Sequence, residues 1–282
     1  MAGPLVSLLT DFGSRDPSAA ICRGVIWSIA PDARLLDISH EVAKYAIRDG
    51  ALLLWCAIPY LPVGTHMAVV DPGVGSDRRP IAIRVGRGDV LIGPDNGLLL
   101  PATERLGAIT AVVELTNQAY RLPVVSPSFH GRDIFSPAAA HLALGVPLDA
   151  MGPSVDPASL VSLAIPDPVV EPGRLRSAIV YRDTFGNAKF AGLRRDLEAA
   201  LGPLVPGDRL VLQVAGHGTT PAATIQLAWQ QTFAGAGEGE PLAYEDSYGR
   251  VCLAVDRGNA VDRYGLVDDL EVTISRDHST GS

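Results

Sequence analysis

Short apolar runs alternate with segments of helical spacing along the first half of the chain. PLVSLLT (4–10) reads as a buried strand that stops at Asp11, and the stretch 18–30, opening on Ser18, carries helical spacing. ARLLDIS (33–39) is a second strand, 46–61 a second helix, and THMAVVD (65–71) a third strand. PIAIRV (80–85) and VLIGP (90–94) add two more strands before a helix over 137–145. Alternation of this kind predicts an α/β layer with a largely parallel central sheet. Ligands of such sheets bind off the carboxyl ends of the strands, so Asp11, Asp71 and Asp95, each following a strand run, are site candidates on topology alone.

The second half is patterned differently. Five prolines between 151 and 173 disfavour regular structure, which predicts a linker over 153–173. Beyond it the runs shorten and alternate (174–183, 208–216, 250–256 and 266–276), with one helix over 193–202. Turn signals between them predict a small antiparallel β-barrel. The expected division is an N-terminal α/β domain over 1–152, the linker, a C-terminal barrel domain over 174–276, and a loose tail over 277–282.

Composition narrows the function classes. The chain has 282 residues, 47% hydrophobic and 19% charged, enough apolar material for a large core. Its net charge of −8, without a Lys/Arg cluster, argues against a nucleic-acid partner. The longest apolar stretch, 51–63, is too short to span a bilayer and holds two prolines, so no membrane association is expected. The first residues lack the basic region of a signal peptide, and three cysteines without a CxxC pair read as free thiols of a cytoplasmic protein.

Two strings carry the chemistry. VVDPGVGSDRR (69–79) holds Asp71 and Arg78, and SFHGRDIFSP (128–137) holds His130, each beside glycines. A carboxylate, a cation and an imidazole on turns are the parts needed to handle a water molecule and a departing group. DFG (11–13) and HGRD (130–133) stand in reversed order without a Gly-rich loop, so no kinase follows. No HExxH, paired-His or CxxC spacing supports a metal site. In the second half, DTFGN (183–187) presents a carboxylate and an amide on a tight turn, and SYGRVCLAVDRGNA (247–260) presents Ser247 and a Gly-Asn-Ala loop.

Taken together, TDFG, VDPGVG, PDNG, FHGRDIF, DTFGN and the closing RGNA resemble, in order and from Thr10 to Ala260, the S-adenosylmethionine hydroxide adenosyltransferases. These are hydrolytic relatives of the fluorinase and chlorinase. The resemblance implies an N-terminal α/β domain, a C-terminal barrel, and a homotrimer with sites at subunit interfaces. It assigns the attacking water to Asp71, Arg78 and His130. It assigns Asp11 to the ribose hydroxyls, Ser18 and Asp183 to the methionine amino group, and Ser247 to its carboxylate. Asn187, Asn259 and Ala260 would meet adenine, with Tyr45, Phe185 and Phe233 as aromatic neighbours of the nucleoside.

Tyr248 stands where the halogenases carry an arginine, and Gly131 where the fluorinase carries a halide-holding serine. Both the intact Asp–Arg–His set and Gly131 favour water over halide. The expected reaction is hydrolysis of S-adenosyl-L-methionine at C5′ to adenosine and L-methionine. That molecule is then the substrate, with no further cofactor. A chloride- or bromide-using halogenase and a non-catalytic nucleoside-binding module are the competing readings. Either Asp71 or His130 takes the proton as attack proceeds, or Arg78 and an imidazolium stabilise a hydroxide-like nucleophile; sequence leaves these open.

Overall fold

The computed structural model describes residues 3–277, in two compact units divided between Leu163 and Ala164. The first unit runs β1 (Leu5–Thr10), α1 (Ser18–Ile29), β2 (Arg34–Ser39), α2 (Ile47–Ala57), β3 (Thr65–Val69), β4 (Pro80–Val85), β5 (Val90–Pro94), α3 (Leu100–Leu106), β6 (Ile109–Glu114) and α4 (Ser136–Ala143). Its sheet has the order β2-β1-β3-β5-β4-β6. β2, β1, β3 and β5 are mutually parallel, while β4 runs antiparallel to both of its neighbours.

Alternate side chains of the central strands feed two cores. Val6 and Leu8 of β1 and Met67 and Val69 of β3 join Cys22 and Ile26 of α1 and the alanines of α4. Leu9, Ala68 and Val70 project to the other side, against Ala51 and Leu54 of α2 and Ala102 of α3. With both faces covered, β1 and β3 are buried throughout and mostly apolar, and their buried polar members Ser7 and His66 satisfy one another, Oγ to Nδ1 at 2.7 Å.

Sequence patterning missed α3 and β6, the former only seven residues long. The helix expected over 46–61 stops at Ala57 and tightens into a 3-10 turn, Ile58–Tyr60, where Pro59 supplies no backbone donor.

The second unit runs β7 (Val169–Glu171), β8 (Arg174–Arg182), β9 (Ala188–Leu193), α5 (Arg194–Leu201), β10 (Arg209–Val214), β11 (Ala223–Trp229), β12 (Pro241–Glu245), β13 (Arg250–Val255), α6 (Ala260–Tyr264) and β14 (Glu271–Arg276). Pairing of β14 with β8 closes β8 to β14 into a seven-stranded barrel, and β7 lies outside it on β8. The barrel departs from pure antiparallel order at one pair: β11 and β12 are parallel, joined by the long connection 230–240. Inward residues of alternating strands, with Trp229 and Phe190 the bulkiest, fill the interior.

The proline-rich stretch 153–173 carries structure in both units. Ser154 bridges to Val113 and Pro157–Ser159 forms a 3-10 turn in the first, while β7 belongs to the second. Of the expected tail, 278–282 lie outside the described residues. The three cysteines are free thiols, and burial pushes that of Cys22 up to about 11. No helix among the described residues is long and apolar enough to cross a membrane.

Candidate active site

β1 and β3 are parallel neighbours with Thr10 opposite Val69, so the chain leaves the sheet at Asp11 and Asp71 side by side. Asp11 is buried, and its Oδ2 accepts from the backbone N–H of Tyr45 at 3.0 Å. Lys44 Nζ donates to the Asp11 carbonyl oxygen. Tyr45 takes a left-handed conformation, φ 64°, and its side chain is exposed.

After Asp71 the loop doubles back. Gly75 has φ 80°, and a Cβ there would stand 2.5 Å from the Pro127 carbonyl oxygen. Only glycine lets the 72–78 loop lie against the 126–130 loop this closely. The approach unites the two strings. Arg78 Nε donates to both oxygens of Asp71 at 3.0 Å, and its Nη2 reaches Oδ2 at 2.5 Å and His130 Nδ1 at 2.7 Å. The Arg78 guanidinium also lies over the Phe135 ring, 5.3 Å from its centroid. Both members of the ion pair have side chains under a tenth exposed.

His130 precedes a π-helical turn, Gly131–Phe135, which leads into α4. Such wide turns re-aim one residue relative to a regular helix. The turn is held by Ser136 Oγ donating to the Gly131 carbonyl at 2.7 Å, and by Asp133, which accepts from the Ser126 N–H at 2.8 Å. Burial, and next the Arg78 charge, hold the His130 imidazole below its usual 6.5, so it is neutral at pH 7.

Asp71 and His130 line a cavity of about 310 Å³ together with Asp11, Asp16, Ser18, Lys44 and Tyr45, while Arg78 lies behind them, outside the lining. With Asp71 paired to Arg78, Asp11 and Asp16 against one lysine leave it suited to a cationic ligand. Asp95, the third candidate on topology, is outside this lining. It is taken up by Arg79, Nε to Oδ2 at 2.9 Å, and by the Val161 N–H at 2.9 Å.

The second unit has its own cavity of about 710 Å³, whose lining includes Asp183, Phe185, Asn187, Phe233 and Ser247 from the expected set. Asp183 Oδ1 accepts from the N–H of Phe185 and of Asn187, both at 3.0 Å, and Oδ2 from Asn187 Nδ2 at 3.0 Å. This fixes the β8–β9 turn and leaves Phe185 79% exposed. Phe233 packs against Tyr244 with ring centroids 5.1 Å apart.

Asn259 and Ala260 are not part of that lining. Asn259 caps α6, its Oδ1 accepting from the Asp262 N–H at 2.9 Å, and Ala260 is fully buried. The α6 start is tied to the β8–β9 turn instead, by the Val261 N–H donating to the Gly186 carbonyl.

Sequence reasoning missed several lining residues: Phe12, Asp16 and Lys44 in the first cavity, and Lys189, Tyr244, Asp246 and Arg257 in the second. One signal was available. The chain contains two lysines against 21 arginines, and Lys44 and Lys189 each line a cavity. Among the described residues no group of three or more His, Cys, Asp or Glu side chains is arranged to hold a metal ion.

Comparison with known proteins gives a consistent result. Family models for the SAM hydroxide adenosyltransferase N-terminal and C-terminal domains match residues 6–152 and 177–273. A Salinispora tropica protein named (R)-S-adenosyl-L-methionine hydrolase is 43% identical over 272 residues, covering 96% of this chain and 98% of the relative. A fluorinase from an Actinoplanes species is 28% identical over 299 residues, covering 97% and 98%. The crystal structure of an uncharacterized conserved protein from Thermotoga maritima superposes with a TM-score of 0.86 at 30% identity, over 96% of this chain and all of that one. The chain belongs to the SAM hydroxide adenosyltransferase family, a family of enzymes.

Proposed function

We propose that this enzyme hydrolyses S-adenosyl-L-methionine by attack of water at C5′, releasing adenosine and L-methionine. The observation that carries this reading is the unbroken Asp71–Arg78–His130 hydrogen-bonded chain beside an acidic cavity.

The hydrogen-bond chemistry assigns roles within the chain. A guanidinium has donors and no acceptor, so Arg78 donates to His130 Nδ1, and that nitrogen carries no proton. The neutral ring therefore holds its proton on Nε2, where it donates to the oxygen of a water in the cavity. Asp71 retains lone pairs beyond those taken by Arg78 and receives the water's proton. Carboxylates are far weaker bases than hydroxide, so proton transfer accompanies attack rather than preceding it. The O–C5′ bond forms as the C5′–S bond breaks, and the electron pair goes to sulfur. The sulfonium leaves as a neutral thioether, which needs no acid. Holding the water in line with that bond contributes several kcal/mol of barrier reduction, and Asp11 and Asp16 favour the cationic substrate over its neutral products.

Halide is the competing nucleophile, and Gly131 speaks against it. A Cβ at this position would stand 2.9 Å from Phe12 Cζ and 3.5 Å from Phe129 Cε2. There is no hydroxyl here to hold a desolvated halide, and no room for one unless Phe12 moves.

The water-handling set lies in one unit, and the expected contacts to adenine and to the methionine carboxylate in the other. We take the complete site to form between neighbouring copies in a homotrimer, as the family resemblance implies. Incubation with S-adenosylmethionine, with and without chloride, tests the reading by chromatography. Equimolar adenosine and methionine in both samples supports it. 5′-Chloro-5′-deoxyadenosine marks a halogenase, and tight binding without turnover a sensor.

A further inference from the structure

We infer that Lys189 is the cation that receives the carboxylate of the substrate's amino-acid end, and so sets the preference for an intact amino-acid tail. The inference rests on the hydrolase reading above.

Lys189 sits on β9, between Tyr181 of β8 and Cys252 of β13 in the barrel register. Its side chain is 12% exposed, and the ammonium lies 5.6 Å from the Tyr181 ring centroid and 5.4 Å from that of Tyr248. Nζ donates to Asp246 Oδ2 at 2.9 Å. Burial works against the charge, but the Asp246 hydrogen bond and its negative charge outweigh that and raise the pKa above 10.5. The ammonium is therefore held protonated inside the cavity wall.

Asp246 also holds its own turn. Its other oxygen accepts from the N–H of Tyr248 and of Arg250, both at 2.9 Å, which fixes the β12–β13 turn carrying Ser247. An ammonium has three N–H donors, and Asp246 uses one. Lys189 therefore keeps donors for a group that enters the cavity beside Ser247. The other cation in the lining, Arg257, is 73% exposed and faces Glu238 at 3.2 Å, where solvent screens it. Lys189 is the recessed one. An anionic group brought to it exchanges water for a charge-assisted hydrogen bond on an already desolvated donor.

The chain's use of lysine agrees with this. It places arginine at 21 positions and lysine at two, so a compact ammonium in this wall is an exception in its composition. An ammonium fits between two tyrosine rings and rotates its donors toward both Asp246 and a ligand, which the rigid fork of a guanidinium does less readily.

The test compares kcat/KM for S-adenosylmethionine with that for its decarboxylated analogue, which keeps the sulfonium, the amine and adenosine. In the Lys189→Met variant the preference for the carboxylated substrate should fall about 10- to 100-fold, the range for a hydrogen bond to a charged group. Lys189→Arg should restore part of it. Adenosine affinity, measured by calorimetry, reports whether the barrel is intact when Asp246 loses its partner. An unchanged preference ratio in Lys189→Met overturns the assignment and leaves Lys189 a counterion for Asp246. So does an equal loss on both substrates with weakened adenosine binding. Wild-type protein that neither turns over S-adenosylmethionine nor binds adenosine instead overturns the hydrolase reading, and this assignment with it.

Discussion

Arg78 Nη2 and His130 Nδ1, 52 positions apart in the chain, stand 2.7 Å from one another, and the same guanidinium is clamped on Asp71. One cation thus fixes a carboxylate and an imidazole at once, and it also dictates which ring nitrogen keeps the proton. Replacing it by an apolar side chain of similar length removes three constraints together. Arg78→Met should lower turnover by at least about 10²-fold. It should also destabilise the fold by about 3–5 kcal/mol, because Asp71 is left buried without its partner. Steady-state kinetics and urea denaturation read the two effects separately.

Asp71→Asn keeps the volume and an acceptor for Arg78 but removes the proton acceptor. S-Adenosylmethionine should still bind, with turnover reduced by on the order of 10²-fold or more. Near-normal turnover would remove Asp71 from the proton-accepting role. Single-turnover mixing experiments separate binding from chemistry here.

The pH dependence follows from His130. Its folded-state pKa lies below 6.5, through burial and then Arg78, so the neutral ring persists as pH falls past 6.5. The acid limb of kcat should therefore lie below that value. On stability the sign is the same: the unfolded chain takes up the proton first, so folding stability declines as pH drops through about 6.5 and levels off below the folded-state value. His130→Gln should lack that part of the decline in urea midpoints measured across the range.

The tight seat of Gly131 gives a further expectation. Gly131→Ala places a methyl group 2.9 Å from Phe12 and should cost about 1–3 kcal/mol of stability, as overpacking does. Gly131→Ser should show a comparable loss and still yield no 5′-chloro product from chloride.

Much of this molecule was legible in its sequence, for reasons visible in the structure. Strands buried on both faces, such as β1 and β3, read as short, mostly apolar runs that stop before Asp11 and Asp71. Short or half-exposed elements did not. β9 alternates buried and half-buried residues, β12 spans five residues, and α6 depends on its Asn259 cap rather than on periodicity. Residue chemistry singled out Asp71, Arg78 and His130 and the resemblance joined them in one site, but no local pattern encodes the approach of the Gly75 loop to Pro127 that brings them together. Asn259 shows another limit. The resemblance assigns it to adenine, and no sequence pattern announced that its side chain also caps α6. Lys189 was passed over because one lysine in a strand carries no motif; its meaning comes from the neighbours that the barrel register supplies.

Attack of water on the ribose carbon leaves an isotopic mark, read by turnover of S-adenosylmethionine in ¹⁸O-enriched water with mass spectrometry of the products. Hydrolysis at C5′ places one heavy oxygen in the 5′-hydroxyl of adenosine and none in methionine. Adenosine without label, or 5′-methylthioadenosine accompanied by labelled homoserine, would contradict it.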